Sequence, residues 1–420
     1  MRTLVTGSAE QPLGRLLAVG IVVAGLLFSS AVGWSAEPAP GATLDTLLAR
    51  VRNFNPELAA AALEREAAVA KIYPAGALDD PMVNLSRDQG FRQTLLTASQ
   101  DFPLWGKRDL RKAVAEANAE VAAGRHSSLA LELEEQTKVV FAQYYQVDQA
   151  TRVTREIRSL LHTVADAVRS RYAQGVGTQS DAIRADLEQT RLGPELSALE
   201  RDEEMAKAKI NALIGRSANA PLATPQVLRR MPSAASLRLD ALVARSCGGN
   251  PIVAMALAEI AAAEGERTLV DKSWYPDVTL TLGANDLAGI GARVTGGVGI
   301  KVPLQWGVRE AQGRAATAKK GAAQLRLDAA LLKIESELQS ALVSLVRAQG
   351  TVDLLKHGLS QQSEAAYQSA LASYQQGRGD LTPVLDTARS RLQIRIEILR
   401  VETEAQTALA AIERQIGSDL

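Results

Sequence analysis

The sequence has few aromatic residues, a single cysteine and no excess of charge of either sign. Phe, Trp and Tyr make up 4% of the 420 residues, which is little for a compact globular core of this size. The one cysteine, Cys247, excludes an internal disulfide framework and a thiolate metal cluster. Lys and Arg number 47, as do Asp and Glu, so the basic surplus typical of nucleic-acid-binding proteins is missing. We therefore expect no nucleic-acid partner.

The sequence also lacks the side-chain groupings that catalysis requires. The three histidines are scattered along predicted helices, without the spacing of metal ligands. Cys247 has no adjacent base to activate it. The glycine-rich run 296–299 lies within a predicted strand and does not open a helix, so it is a poor phosphate cradle. We expect a protein that is not an enzyme and that holds no cofactor and no metal site.

The first residues are typical of an export signal. Arg2 and Arg15 flank a polar start, an apolar run follows from Leu16 to Trp34, and small and turn-forming residues occupy 35–40. This order predicts a secretory signal peptide over residues 1–36, with a membrane anchor as the alternative. Beyond residue 40, no apolar run approaches the roughly 20 residues that a membrane-spanning helix needs.

The remainder of the chain contains an internal repeat with an offset of about 200 residues. Five landmarks recur in the same order, and they pair as Asn55-Pro56 with Asn250-Pro251, Tyr73-Pro74 with Tyr275-Pro276, 102–106 with 302–307, 171–177 with 373–379, and Ile214-Gly215 with Ile416-Gly417. The pattern predicts a first repeat over 37–216, a linker over 217–237 and a second repeat over 238–420.

Each repeat is predicted to be mainly helical. An initial helix, 43–73 or 238–273, is interrupted by Asn-Pro and ended by Tyr-Pro. No proline lies between Pro103 and Pro194 or between Pro303 and Pro383, which predicts uninterrupted long helices over 107–173 and 308–374. A helix of this length reaches roughly 100 Å at 1.5 Å per residue and requires lateral partners. Return helices over 179–214 and 381–416 are expected to pack back antiparallel as coiled coils.

Between the helices, each repeat contains two short runs of alternating apolar and polar residues. The alternation is clearest at Val278, Leu280 and Leu282 and at Val298 and Ile300, and it predicts β-hairpins over 82–103 and 278–303. Membrane strands need about 9–11 residues, and four strands are too few to close a barrel. The strands therefore either join those of other chains in a shared barrel or form a small soluble sheet that caps a helical bundle.

This order of elements resembles the TolC-like outer-membrane efflux channels. The junction Asp101-Phe102-Pro103-Leu104-Trp105-Gly106-Lys107-Arg108 resembles that of the members that serve heavy-metal efflux. The resemblance covers about residues 43–417. It implies a homotrimer in which each chain gives four strands to a shared twelve-stranded transmembrane β-barrel, while the long helices form an α-helical tunnel across the periplasm. It also implies a periplasmic adaptor, or membrane fusion, protein and an inner-membrane pump as partners.

The resemblance further implies that the two glycine turns form the periplasmic tip, where the tunnel closes. Residues that would contact the adaptor there are Arg171, Tyr172, Gly175, Gly177, Gly377 and Gly379. Those expected at the aperture are Asp181, Tyr374, Asp380 and Asp386. Asp181 corresponds to an aspartate that in the family contacts the second-tip tyrosine, here Tyr374, and a nearby arginine, at whose position this chain has Gly379. Pro383 replaces the first of two paired aspartates, for which Asp380 is a candidate substitute.

Two of these expectations also have a physical basis, each with an alternative. In a trimer, one inward carboxylate such as Asp386 becomes a ring of three that attracts cations, whereas near a helix start an acidic residue is favoured in any case. Trp105 and Trp306 occupy equivalent strand-to-helix junctions, where aromatic rings suit the interface between outer-membrane lipid and water. Ordinary packing at a bend is the alternative for both tryptophans.

The sequence thus predicts a passive exit duct in the outer membrane that extends into the periplasm. The Pro-Leu-Trp-Gly-Lys-Arg junction favours export of metal cations with a pump of the resistance–nodulation–division (RND) type. Small toxic compounds, such as antibiotics or solvents, are the nearest alternative, and type I protein secretion is another. A periplasmic coiled-coil scaffold without a barrel is the alternative from a different functional class.

Overall fold

A computed structural model of the chain describes residues 40–88, 93–233, 236–287 and 291–420. The predicted signal peptide, parts of both predicted hairpin turns and two linker residues lie outside these ranges. Residues 217–233 of the linker contain neither helix nor strand.

Each repeat begins with a helix that breaks at an Asn-Pro pair. In the first repeat, α1 (Leu44–Phe54) is followed by α2 (Pro56–Ala70) and the short α3 (Ile72–Gly76). The strands β1 (Met82–Asp88) and β2 (Gln93–Phe102) follow, then the long α4 (Lys107–Ala173) and the returning α5 (Gln179–Leu213).

The second repeat has the same order of elements. It contains α6 (Leu239–Gly249), α7 (Pro251–Lys272), β3 (Asp277–Leu287) and β4 (Gly291–Lys301). Its long helix is divided into α8 (Trp306–Leu354) and α9 (Ser360–Gln375), and α10 (Leu381–Ile416) returns.

The Asn-Pro landmarks of the two repeats make the same contact with the end of the returning helix. The Asn55 side chain accepts hydrogen bonds from the first turn of α2, and its amide donates to the carbonyl oxygen of Leu213 at 2.8 Å. The Asn250 amide donates to the carbonyl oxygen of Gln415 at the same distance, 2.8 Å. In each repeat, one asparagine therefore starts a helix and also fixes the end of the returning helix beside it.

Two predictions about helix ends are wrong. Tyr73-Pro74 does not end the first helical segment, because α3 continues to Gly76. Pro74 is the third residue of α3, where the missing N–H has no intrahelical acceptor to lose. The helix predicted over 308–374 is not uninterrupted, because a π-helical turn occupies Leu355–Leu359. That turn contains Gly358, a residue type that weakens the α-helical ladder.

The strands form one antiparallel sheet in the order β1-β2-β3-β4. The two hairpins are joined along β2 and β3, in a register that places Phe102 opposite Val278. Strands β1 and β4 are the edges of this sheet.

Three clusters of buried apolar side chains hold the helices together. One lies within the first repeat around Leu47, Phe141 and Ile210, and a second within the second repeat around Leu338 and Leu409. The third joins the two repeats near the glycine turns, and it contains Val168, Tyr367, Tyr374, Leu381, Val384 and Ala388. The turns of both repeats are therefore anchored on a shared core.

Candidate functional site

The two glycine turns have the same backbone geometry. Gly175 and Gly377 adopt left-handed conformations, with φ of 77° and 71°. Their N–H groups donate to the carbonyl oxygens of Tyr172 at 2.9 Å and Tyr374 at 3.0 Å. Glycine is the residue that adopts this conformation without steric cost, so each long helix ends at a defined point.

The second glycine of each turn allows a close approach. A Cβ atom on Gly177 would lie 3.2 Å from the backbone nitrogen of Tyr172, and one on Gly379 would lie 3.2 Å from Cβ of Ser373. Both glycines therefore let the chain fold back tightly against the helix that it leaves.

The two turns are linked by Arg171 of the first repeat. Its Nη1 donates to the carbonyl oxygen of Tyr374 at 2.8 Å, and its guanidinium carbon lies 4.8 Å from the centroid of the Tyr374 ring. Burial raises the pKa of the Tyr374 phenol, although the nearby Arg171 charge opposes this shift. The sequence placed Arg171 among the adaptor-contact residues, and the structure gives it this additional contact.

The two tyrosines of the repeat are not in equivalent surroundings. Tyr374 is 8% exposed, whereas Tyr172 is 47% exposed. The first turn thus presents an aromatic side chain to its surroundings, while the second turn buries its own beneath Arg171.

Asp181 does not hydrogen-bond to Tyr374 in this structure. Its carboxylate accepts from the Thr178 hydroxyl at 2.7 Å, and its backbone N–H donates to the same hydroxyl oxygen at 3.1 Å. This reciprocal arrangement caps α5. Asp181 affects Tyr374 only through its charge, which contributes to the raised pKa of the phenol.

The other two aspartates lie at the start of α10. Asp380 is the N-cap residue and is exposed, and its side chain makes no capping hydrogen bond. The Asp386 side chain is 62% exposed and lies 3.5 Å from Nη1 of Arg389. Both carboxylates are accessible to solvent in the single chain.

Two contacts between the return helices α5 and α10 were missed by sequence reasoning. Arg389 of α10 forms a double hydrogen bond with the nearly buried carboxylate of Glu188 in α5. Arg184 donates to the Thr382 hydroxyl at 3.0 Å. No sequence signal identifies these pairs, because their members lie about 200 positions apart and on exposed or mixed helix faces.

The tryptophan junctions differ between the repeats. Trp105 has a left-handed backbone, with φ of 63°, and its indole N–H donates to the carbonyl oxygen of Pro276 at 2.8 Å. Its ring centroid is 5.2 Å from that of Tyr275. Trp306 instead opens α8 with its side chain 68% exposed. The two positions are equivalent in the repeat, but Trp105 also joins the repeats to each other.

The sheet has one largely apolar face that continues across its strands. Residues directly opposite one another in neighbouring strands share a face. One such row joins Phe102, Val278 and Ile300, and another joins Leu280 and Val298. Val298 and Ile300 are 70% and 64% exposed. An exposed apolar face of this kind is typical of a surface that contacts lipid or another chain.

The described residues hold no group of three or more His, Cys, Asp or Glu side chains that could bind a metal ion. In the same ranges, no single helix is long and apolar enough to span a membrane. The bent pair Leu239–Gly249 and Pro251–Lys272 meets that test jointly, by length and composition only.

Comparison with known proteins connects this geometry to one kind of protein. Residues 242–418 match the family described as "Outer membrane efflux protein". The cobalt-zinc-cadmium resistance protein CzcC of Cupriavidus metallidurans is 25% identical over 386 residues, which cover 91% of each chain. The outer membrane efflux protein BepC of Brucella suis is 23% identical over 67% of this chain and 62% of its own length.

Solved structures share the fold over nearly the whole described chain. The outer-membrane channel OprN superposes with a TM-score of 0.78 at 19% identity, covering 89% of this chain and 90% of OprN. CusC gives a TM-score of 0.76 at 16% identity, covering 89% of this chain and 92% of CusC. VceC of Vibrio cholerae gives 0.77 at 18% identity, covering 90% and 96%. At these identities, the likeness establishes the architecture.

Proposed function

We propose that this chain is a TolC-like outer-membrane efflux channel, the passive exit duct of a tripartite pump that exports metal cations. The duct would bind no cofactor and catalyse no reaction, and the energy for export would come from an inner-membrane partner. Substrate passes from the periplasmic tip through a tunnel of long helices to the exterior.

The sheet provides the argument for a homotrimer. Its edge strands β1 and β4 present backbone N–H and C=O groups that require partners in a membrane. Four strands cannot close on themselves, but three copies joined edge to edge give twelve strands, which suffice for a closed barrel. The apolar face of the sheet then faces lipid, and the polar face lines the lumen.

The mass of the detergent-extracted protein tests this assembly. Outer-membrane extracts in mild detergent, corrected for bound detergent, should contain a particle of about three chains, as edge-to-edge closure requires. A monomer or dimer in the periplasmic fraction would instead favour the coiled-coil scaffold and would refute the channel assembly.

One relative supports the assignment of metal cations, in addition to the junction at residues 101–108. The protein with 25% identity over 91% of the chain is named for resistance to cobalt, zinc and cadmium. The fold does not distinguish substrates, because channels of different names superpose on this chain equally well. Export of antibiotics or solvents is the alternative substrate class, and type I protein secretion is a further alternative.

Growth of a deletion strain tests the substrate. We expect loss of the gene to sensitise cells to cobalt, zinc or cadmium and not to dyes or detergents, with resistance restored by the wild-type gene. Sensitivity to dyes and detergents alone would contradict the metal assignment and favour a drug pump. Loss of a secreted protein, with unchanged resistance to metals and drugs, would favour type I secretion.

A periplasmic adaptor and an RND-type pump are the partners that we propose. The first turn exposes Tyr172 by 47% and Val176 by 67%, and this exposure supports a contact of both side chains with an adaptor. In a Cys247→Ser background, Val176→Cys with a photoactivatable thiol reagent should cross-link to the adaptor. Val227→Cys is the matched control, because Val227 is 70% exposed but lies in the linker. Equal cross-linking at both positions would refute a tip-specific contact.

A further inference from the structure

A cavity of about 510 Å³ lies where the strands meet the long helices. Its walls come from the first turns of α4 and α8, the end of α7 and the adjoining ends of β3 and β4. Five basic side chains line it, namely Lys107, Arg111, Lys301, Arg309 and Lys319, together with two acidic ones, Glu266 and Asp277. The cavity therefore contains a surplus of positive charge.

Both acidic side chains are already paired. Lys107 Nζ lies 2.7 Å from Oδ1 of Asp277 and also donates to the carbonyl oxygen of Tyr275 at 2.9 Å. Lys319 Nζ lies 3.2 Å from Oε2 of Glu266. These two ion pairs neutralise both carboxylates of the cavity. The other basic side chains therefore have no counter-charge there.

Three basic side chains thus line the cavity without a carboxylate partner of their own. Within the described ranges, Arg111, Lys301 and Arg309 have no acidic side chain at ion-pairing distance. Arg309 donates through Nη1 to the Ser273 hydroxyl at 3.3 Å, and its buried Nε has no acceptor among the residues that the structure describes. Like charges gathered in this way repel one another, and an anion between them would remove that repulsion.

The cavity opens on the polar side of the sheet. Asp277 and Lys301 lie directly opposite each other, so both side chains leave the same face. The next pair, Val278 and Ile300, belongs to the apolar face. An anion dissolved in the lumen could therefore reach the basic side chains, whereas a lipid would contact the other face.

We propose that this cavity binds an oxyanion of the phosphate class. Arginine and lysine side chains supply charge-assisted donors for such a ligand, and arginine can donate two parallel hydrogen bonds to it. The site is distinct from the aperture at the glycine turns and goes beyond the role of an exit duct. The bound group is a dissolved phosphate or the phosphate of a lipid head group, and the polar face favours the dissolved anion.

Calorimetric titration of the purified channel with inorganic phosphate tests the site. We expect saturable binding that weakens about tenfold or more in the double variant Arg111→Gln/Lys301→Gln, because two charge-assisted donors are lost. Arg326→Gln is the matched control, since Arg326 is exposed on α8 and does not line the cavity. The control should bind phosphate as the wild type does. Equal elution volumes in gel filtration establish that all variants are folded and assembled.

Two results of the titration would contradict the proposed phosphate site. Absence of saturable phosphate binding, or binding unchanged in the double variant, would overturn the proposal. Phosphorus analysis of the protein before titration separates the two sources of the anion. Lipid phosphorus that inorganic phosphate does not displace would overturn a site for the dissolved anion. The titration uses purified protein, so its result is independent of whether cells export metals.

Discussion

Arg171 at the end of α4 holds Tyr374 at the end of α9 through two contacts of one side chain. A hydrogen bond of 2.8 Å reaches the tyrosine carbonyl oxygen, and the guanidinium lies over the ring at 4.8 Å. The glycine turns of the two repeats are therefore fastened to each other within one chain. Separation of these turns would require both contacts to break.

We expect Arg171→Gln to loosen the tip and to raise the single-channel conductance of the reconstituted protein. The variant loses a hydrogen bond from a charged donor, worth about 1.5–3 kcal/mol, and a cation–π contact of about 0.5–1 kcal/mol. Arg158→Gln is the control, because Arg158 is exposed on the same helix and far from the turn. Equal conductance in wild type and Arg171→Gln would show that this contact does not hold the tip closed.

Gly417 should be intolerant of a side chain. It has φ of 76°, and a Cβ atom there would lie 2.3 Å from the carbonyl oxygen of Gly249. We expect Gly417→Ala to lower the free energy of unfolding by about 2 kcal/mol or more, because left-handed strain and a backbone clash combine. Thermal unfolding in detergent, followed by circular dichroism, measures the change.

Gly350→Ala is the control for this substitution. Gly350 is exposed within α8, and a Cβ atom there would have no neighbour within 4 Å. Alanine should stabilise the helix at that position by about 0.5–1 kcal/mol. Equal melting temperatures for the two variants would show that the backbone at Gly417 tolerates a side chain and would contradict the expected clash with Gly249.

Asp419 should make stability depend on pH in the acid range. Its hydrogen bond with Lys138, at 2.5 Å, holds the pKa of the carboxyl below the ordinary value of 3.8. A depressed folded-state pKa stabilises the fold above the unfolded value, and this contribution is lost as pH falls through the folded-state pKa. We therefore expect Asp419→Asn to have a flatter profile of melting temperature between about pH 5 and about pH 3 than wild type.

Asp328→Asn provides the comparison for that profile, because Asp328 is exposed on α8 and forms no ion pair among the described residues. Its profile should follow that of wild type. If Asp419→Asn and wild type lose the same stability on acidification, the Lys138 contact does not contribute to acid sensitivity.

The repeat could be predicted because its landmarks have local physical causes. Asn55 and Asn250 start helices, and glycines adopt left-handed turns, so these residue types mark their positions directly in the sequence. The absence of proline over long stretches likewise limits where a helix can break. The predicted fold, mainly helical with four strands, is confirmed by the structure and by its likeness to solved structures.

Long-range contacts could not be predicted in this way. Arg171 and Tyr374 lie 203 positions apart, and no periodic pattern specifies which side chains meet when helices pack. The π-helical turn at Leu355–Leu359 has no proline to mark it, and Trp105 is a bulky residue in a backbone conformation that favours glycine. The roles of the tip residues at an aperture remain predictions.

The exposed carboxylate of Asp386 gives the most direct test of the aperture. In a trimer, it would form a ring of three negative charges whose attraction for cations increases with cation charge. We expect Asp386→Asn to weaken the block of single-channel current by a trivalent cation such as hexamminecobalt. Asp353→Asn is the control, because Asp353 is exposed on α8 away from the turns.

Pro383→Asp should change the block in the opposite direction. Pro383 is the third residue of α10, where aspartate is favoured by the helix dipole and where proline makes no intrahelical N–H bond. A second carboxylate one turn before Asp386 would double the charge of the ring and strengthen the block. If Asp386→Asn leaves the block unchanged and Pro383→Asp does not strengthen it, positions 383 and 386 of α10 do not line the aperture. The constriction must then be sought at Asp181 and Asp380. A block that weakens in the first variant and strengthens in the second requires both positions to face the permeating ion.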